Sequence, residues 1–152
     1  MIITVNSHTQ LFILLASESS VGVILRHGPS DQVLLIRWNL EQDTFEQGQW
    51  LKGRVYERRC DLSPDGELLL YFAADQRRSM SSWTALSRPP YFTALALWPK
   101  NNTFGGGGMF ASRTNLLLDR QEWEKSEIAE GFSIPGWLDV GLLGRRGGLG
   151  RL

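Results

Sequence analysis

Apolar residues fall in short runs separated by turn-forming clusters, and the spacing is that of strands. Ile2 to Val5 reads as a short edge strand, and Leu11-Phe12-Ile13-Leu14-Leu15 as an unbroken apolar strand covered on both faces. Val21 to Arg26 and Val33 to Trp38 flank His27-Gly28-Pro29-Ser30-Asp31-Gln32, which predicts an antiparallel hairpin. In the next stretch Leu40, Phe45 and Trp50 recur every fifth position, too sparse for a helical stripe. A surface hairpin turning near Gln42-Asp43, with a strand from Thr44 towards Gly48, accounts for it better.

The central signal is Arg58 to Ala73. An apolar strand enters, Ser63-Pro64-Asp65-Gly66 turns the chain, and Glu67 to Phe72 leaves as a second strand. Pro64 presets φ for the first central turn position, Asp65 bonds nearby backbone, and Gly66 accepts a positive φ. Val55 and Tyr56 begin the preceding strand, with Arg58 and Arg59 placed on its opposite faces. Further strands are predicted at Ser82 to Leu86, Tyr91 to Trp98, Met109 to Ala111 and Asn115 to Leu118, with Arg88-Pro89-Pro90 stopping the first of them. Asp119 to Glu130 fits either a helix, capped by Asp119 and ended by Gly131, or an outer strand through Gln121 to Lys125. Phe132, Ile134, Trp137 and Leu138 are expected to fold back onto the sheet. These elements predict an all-β chain of antiparallel sheets with at most one short C-terminal helix. One domain spans 1–140, followed by a frayed Gly/Arg-rich tail over 141–152.

Tyr56, Leu62 and Pro64 recur as Tyr91, Leu97 and Pro99, and the strands that follow end in Phe72-Ala73 and Phe110-Ala111. Such spacing is that of stacked repeats. Cys60 to Tyr71 resembles the inner hairpin of a WD40-like or TolB-type β-propeller blade, with Pro99-Lys100-Asn101-Asn102 a degenerate second copy. The run from Gly28-Pro29-Ser30 through Gly48-Gln49-Trp50 to Phe72-Ala73 is similar to a group of uncharacterised bacterial proteins, which implies no activity. The propeller resemblance implies blade-like sheets and says nothing of a ligand. At roughly 40 residues per blade the 152-residue chain holds three at most, short of the four to eight that close a propeller. A piece of a longer protein, self-assembly, or an open twisted sheet with edges free for pairing are the ways to resolve this.

Sixteen basic residues balance sixteen acidic ones, which argues against a domain-wide nucleic-acid surface. No apolar run approaches a membrane span, so no membrane association is expected and the default compartment is the cytoplasm. Cys60 is the single cysteine and reads as a buried thiol; it permits no intramolecular disulfide and no cysteine metal site. His8 and His27 have no second ligand at metal spacing, and neither they nor Asp61 join a nucleophile elbow. Gly105 to Gly108 lack the Lys and Ser/Thr of a phosphate loop, and predict close approach of another backbone. No cofactor is implied.

For binding, Arg77 and Arg78 on a loop offer a contact surface, and Trp83 and Trp98, with Pro89-Pro90, an exposed aromatic groove, although tryptophan on strands is more often core. Arg145 and Arg146 in the tail suit non-specific RNA contact, but all three arginine pairs read better as solvated charge, and a nucleic-acid partner is not expected. The leading expectation is a non-catalytic protein-interaction or scaffolding module, pairing with a protein or itself through sheet edges. The alternative is a hydrolase-like or small-ligand-binding propeller fragment.

Overall fold

The structure, a computed structural model, describes residues 1–6, 9–78, 80–121 and 128–144. Three sheets are stacked in chain order. The first is a meander of β1 (Ile2–Asn6), β2 (Thr9–Leu15), β3 (Val21–His27), β4 (Gln32–Asn39) and β5 (Thr44–Lys52), each strand antiparallel to the last. The second holds β6 (Arg54–Val55), β7 (Asp61–Leu62), β8 (Leu69–Ala74), β9 (Ser82–Ser87) and β10 (Ala94–Pro99), with β6 and β7 both paired to β8. The third holds β11 (Gly108–Ser112), β12 (Asn115–Leu118) and β13 (Asp139–Leu142). The all-β expectation holds. A 3-10 turn at Glu57–Arg59 is the one helical element among the described residues.

Side-chain alternation explains the stacking. Val23, Leu25, Val33 and Leu35 point from the first sheet onto Leu69, Tyr71, Ala73 and Ala85 of the second, forming one core. The opposite face of the second sheet carries Leu68, Leu70, Leu86 and Trp98, which meet Phe110, Leu116, Leu118 and Leu138 in another core. With both faces covered, every residue of β8 and β9 is buried. This is why Leu68-Leu69-Leu70 shows no polar alternation.

Several expectations are corrected. Arg58 and Arg59 do not alternate across a strand, because Tyr56 to Cys60 winds into the 3-10 turn, with the Arg59 N–H donating to the Tyr56 carbonyl at 2.9 Å. The apolar run in β2 is not covered on both faces: Phe12 and Leu14 pack on the first core, whereas Leu15 is 59% exposed. The two sequence repeats serve different connections. Ser63 to Gly66 turns within the second sheet, whereas Pro99 to Asn102 begins the passage from the second sheet to the third. Trp98 is 1% exposed and belongs to the second core, so it lines no groove.

Gly141 and Leu142, expected in the tail, belong to β13, which pairs in parallel with β12, so strand structure runs through Leu142, past the expected boundary at 140. No helix occurs among the described residues of 119–131; 122–127, on which the helix and outer-strand alternatives rest, lie outside the described residues, as do His8, Arg145 and Arg146. Of the four residues expected to fold back, Leu138 and Ile134 join the second core, while Phe132 and Trp137 stay 37% and 51% exposed.

Burial sets the ionisation of two core groups. It pushes the Cys60 thiol up from 9.0 to about 12 and the Tyr71 phenol up from 10.0 to about 12. The phenol donates to the Phe92 carbonyl at 2.6 Å. An unfolded chain releases these protons from pH 9 and 10 upward while the folded chain keeps them. Stability is therefore expected to fall as pH rises, by up to about 1.4 kcal/mol per pH unit for each group. In urea titrations from neutral to alkaline pH, Cys60→Ala should remove the part of the slope that begins at pH 9 and leave the part beginning at pH 10. An unaltered slope would show that the thiol is not sealed.

Candidate interaction surfaces

The Ser63-Pro64-Asp65-Gly66 turn forms as its residues predict. The Gly66 N–H donates to the Ser63 carbonyl at 2.9 Å with Gly66 at φ +78, and Asp65 Oδ1 accepts from Ser63 Oγ at 2.7 Å and from the Glu67 N–H at 3.1 Å. The turn is also where the sheets are tied together. Ser19 Oγ donates to the Asp65 carbonyl at 2.8 Å, the Glu18 N–H donates to the Pro64 carbonyl at 2.8 Å, and Arg113 Nε lies 3.7 Å from Asp65 Oδ2. Its tip therefore serves the fold.

The same is true of most of the candidate chemistry. Gly105 to Gly107 have positive φ, and the Gly107 N–H donates to Thr84 Oγ1 at 3.0 Å; a Cβ on Gly106 would strike the Phe72 ring and one on Gly107 the Arg59 carbonyl. Arg59 closes this loop by donating through one guanidinium nitrogen to the Thr103 and Gly105 carbonyls, each at 2.8 Å. Asp61 Oδ2 accepts from the Phe110 N–H at 2.7 Å, tying the second sheet to the third, and burial raises its carboxyl above the usual range. His27 Nε2 is 3.5 Å from Glu57 Oε2; burial lowers its pKa against the pull of that carboxylate. Among the described residues no group of three or more His, Cys, Asp or Glu is placed to hold a metal ion, and no helix is long and apolar enough to cross a membrane.

Arg77 and Arg78 share Asp75. Their Nε atoms lie 2.9 and 3.4 Å from its carboxylate, and the bond from Arg77 above all holds Asp75 below the usual carboxylate range. The two arginine side chains remain 61% and 63% exposed. They part to different grooves. Arg77 lines one of about 340 Å³ with Asp31, Arg54 and Tyr56, whereas Arg78 lines one of about 550 Å³. Arg78 sits 5.6 Å from the centre of the Trp83 ring, and the larger groove adds Lys52, Trp50, Phe92 and Phe132. Sequence reading kept the arginine loop and the tryptophan groove apart; the fold brings Arg78 beside Trp83 and sends Trp98 into the second core. Trp83 itself is only 5% exposed and supplies the floor.

Sequence reading did not single out a second, open apolar surface. Strand pairing puts Ile3 beside Leu11, Leu34 beside Trp50, Ile36 beside Gln47 and Trp38 beside Phe45. All lie on the face of the first sheet turned away from the first core, together with Ile13, Leu15 and Ile24. Among the described residues neither core includes any of these side chains. Ile24 and Leu34 at the centre are buried, while Leu15, Phe45 and Trp50 around them are 59%, 56% and 47% exposed; Trp38 and Phe45 stack with ring centres 5.5 Å apart. The signal was present in β2 and β4, where both alternate residue sets are apolar.

The sheet edges, in contrast, are partly occupied. The Ala129 and Ser133 N–H groups donate to the Leu97 and Leu95 carbonyls of β10 at 2.8 and 3.0 Å. On β5, the Gln49 N–H donates to the Pro90 carbonyl and Gln49 Oε1 accepts from the Phe92 and Thr93 N–H groups. The open surface is a face. Comparison with family models, curated proteins and solved structures finds no match.

Proposed function

We propose that the chain is a non-catalytic protein-interaction or scaffolding module, built of blade-like sheets in a propeller-type array, whose contact surface is the outer face of the first sheet. One observation carries the reading: a five-stranded sheet presents apolar side chains on both faces, yet only one face is covered among the described residues. Contiguous exposed apolar area of this kind marks association sites. Phe45 and Trp50, exposed at its rim, are aromatic side chains of the kind that carry much of the energy of contacts. We place the module in the cytoplasm, where a lone unpaired thiol such as Cys60 is the ordinary state.

The test is Leu15→Glu, because Leu15 lies on the outer face and lines neither groove. It puts a charge on the face at an exposed position, so the thermal midpoint should change little, as for other surface substitutions, which cost about 0.5 kcal/mol or less. Binding of the hydrophobic probe 1-anilinonaphthalene-8-sulfonate to the native chain should fall several-fold. Unchanged probe binding in a folded variant would remove the outer face as the contact surface.

A further inference from the structure

We infer that the partner on this face is a second copy of the chain, in a symmetric face-to-face dimer with the two first sheets in contact. The inference rests on the reading of the outer face as a contact surface, and three observations carry it from surface to partner.

The first is area. Five strands spaced about 4.8 Å apart and about seven residues long, at about 3.3 Å per residue, present roughly 500 Å² before side-chain relief is counted. Two such faces bury roughly 1,000 Å², the lower limit for a specific interface.

The second is composition. The middle of the face carries no charge: Ile13, Ile24, Leu34 and Ile36 occupy it. A copy of the same surface therefore desolvates no unpaired ion, which is the main cost of joining two sheets. The chain already stacks two sheets on this kind of surface internally, with Val23, Leu25, Val33 and Leu35 on the reverse of the same strands.

The third is charge at the ends. Arg26 and Lys52 lie on the outer face at one end, where Asp31 in the β3–β4 turn offsets one of them. At the other end the turns after β2 and β4 carry Glu18, Glu41 and Asp43, all exposed. A two-fold axis lying in the interface and running across the strands sets the basic end of each copy over the acidic end of the other. An axis running along the strands would overlay like charges and is disfavoured.

Light scattering and sedimentation over a wide concentration series should give twice the 17.2 kDa chain mass. Arg26→Glu with Lys52→Glu makes both ends acidic, and Glu18→Lys with Glu41→Lys makes both ends basic. All four side chains are outside the cores, so both variants should fold, checked by circular dichroism. Each alone should dimerise at least about tenfold more weakly than the parent, and an equimolar mixture should restore the dimer. A dimer indifferent to both pairs of changes, or a larger closed assembly, overturns the proposed arrangement. A parent chain that stays monomeric overturns self-association. If that monomer still binds the hydrophobic probe and loses it on Leu15→Glu, the contact surface stands and the second copy does not. If it binds no probe, both readings fall.

Discussion

Phe72→Ala is expected to destabilise the chain by about 3–5 kcal/mol, the usual range for emptying a fully buried phenylalanine site. The ring is 0% exposed, lies with its centre 5.3 Å from that of Tyr56, and has the Arg59 guanidinium 5.4 Å from that centre. The Gly106 backbone closes its other side, so close that no Cβ fits there. None of these walls is free to collapse. Tyr56 is fixed by its N–H bond to the Phe72 carbonyl at 3.0 Å, and Arg59 by its two carbonyl acceptors. The cavity should therefore stay open and the loss sit near the upper end. Total stabilities of about 5–15 kcal/mol make such a loss a large fraction of the whole. Urea unfolding reads it as a lowered midpoint at constant slope. A loss below about 1 kcal/mol would mean that the glycine loop is not seated on the ring, because a sealed site cannot be emptied that cheaply.

Gly107→Ala should cost about 3 kcal/mol or more, for two reasons that a control separates. Its φ of +73 strains any L side chain, and its Cβ would overlap the Arg59 carbonyl. Gly131 also has a positive φ, +87, but a Cβ there meets nothing within 4 Å. Gly131→Ala thus reports the backbone preference alone, about 1–2 kcal/mol. The difference between the two variants measures the contact between the glycine loop and the 3-10 turn. Equal losses at both positions would show that this contact is absent.

Local chemistry was the part of the fold legible in sequence. Ser63-Pro64-Asp65-Gly66 specifies its own turn through short-range bonds, so reading it requires no knowledge of distant residues. The apolar strand that leaves this turn was equally readable, but its burial on both faces, which Leu68-Leu69-Leu70 reflects, was not singled out. Long-range outcomes were not legible. The parallel pairing of β13 with β12 joins segments 24 residues apart in register (Asn115 with Asp139), and no local pattern encodes such a partner. Arg58 and Arg59 continue a strand-like context, and the 3-10 turn that takes them out of it is fixed by tertiary contacts of Arg59. The candidate site was half legible for a related reason. Arg78 and Trp83 meet across a short loop, whereas Trp98 has the same strand context as Trp83 but faces the other core. Apolar alternation likewise marks both faces of β2 and β4 as hydrophobic and cannot say which one the same chain will cover.

The order of the sheets along the chain bears on synthesis. In the first sheet each strand lies beside its neighbour in sequence, so the meander is complete once residue 52 has left the ribosome, with no part waiting on later residues for its pairing. The second sheet then lands on the first, and the third on the second, so layers are laid down in one direction as the nascent chain lengthens. During that interval the inner side of the first layer and the far side of the second are each covered by the layer that follows. The outer side of the first layer is the exception: it emerges earliest and, among the described residues, nothing made afterwards returns to it. Two ribosomes on one message carry such surfaces side by side, which gives them their first opportunity to meet before either chain is finished.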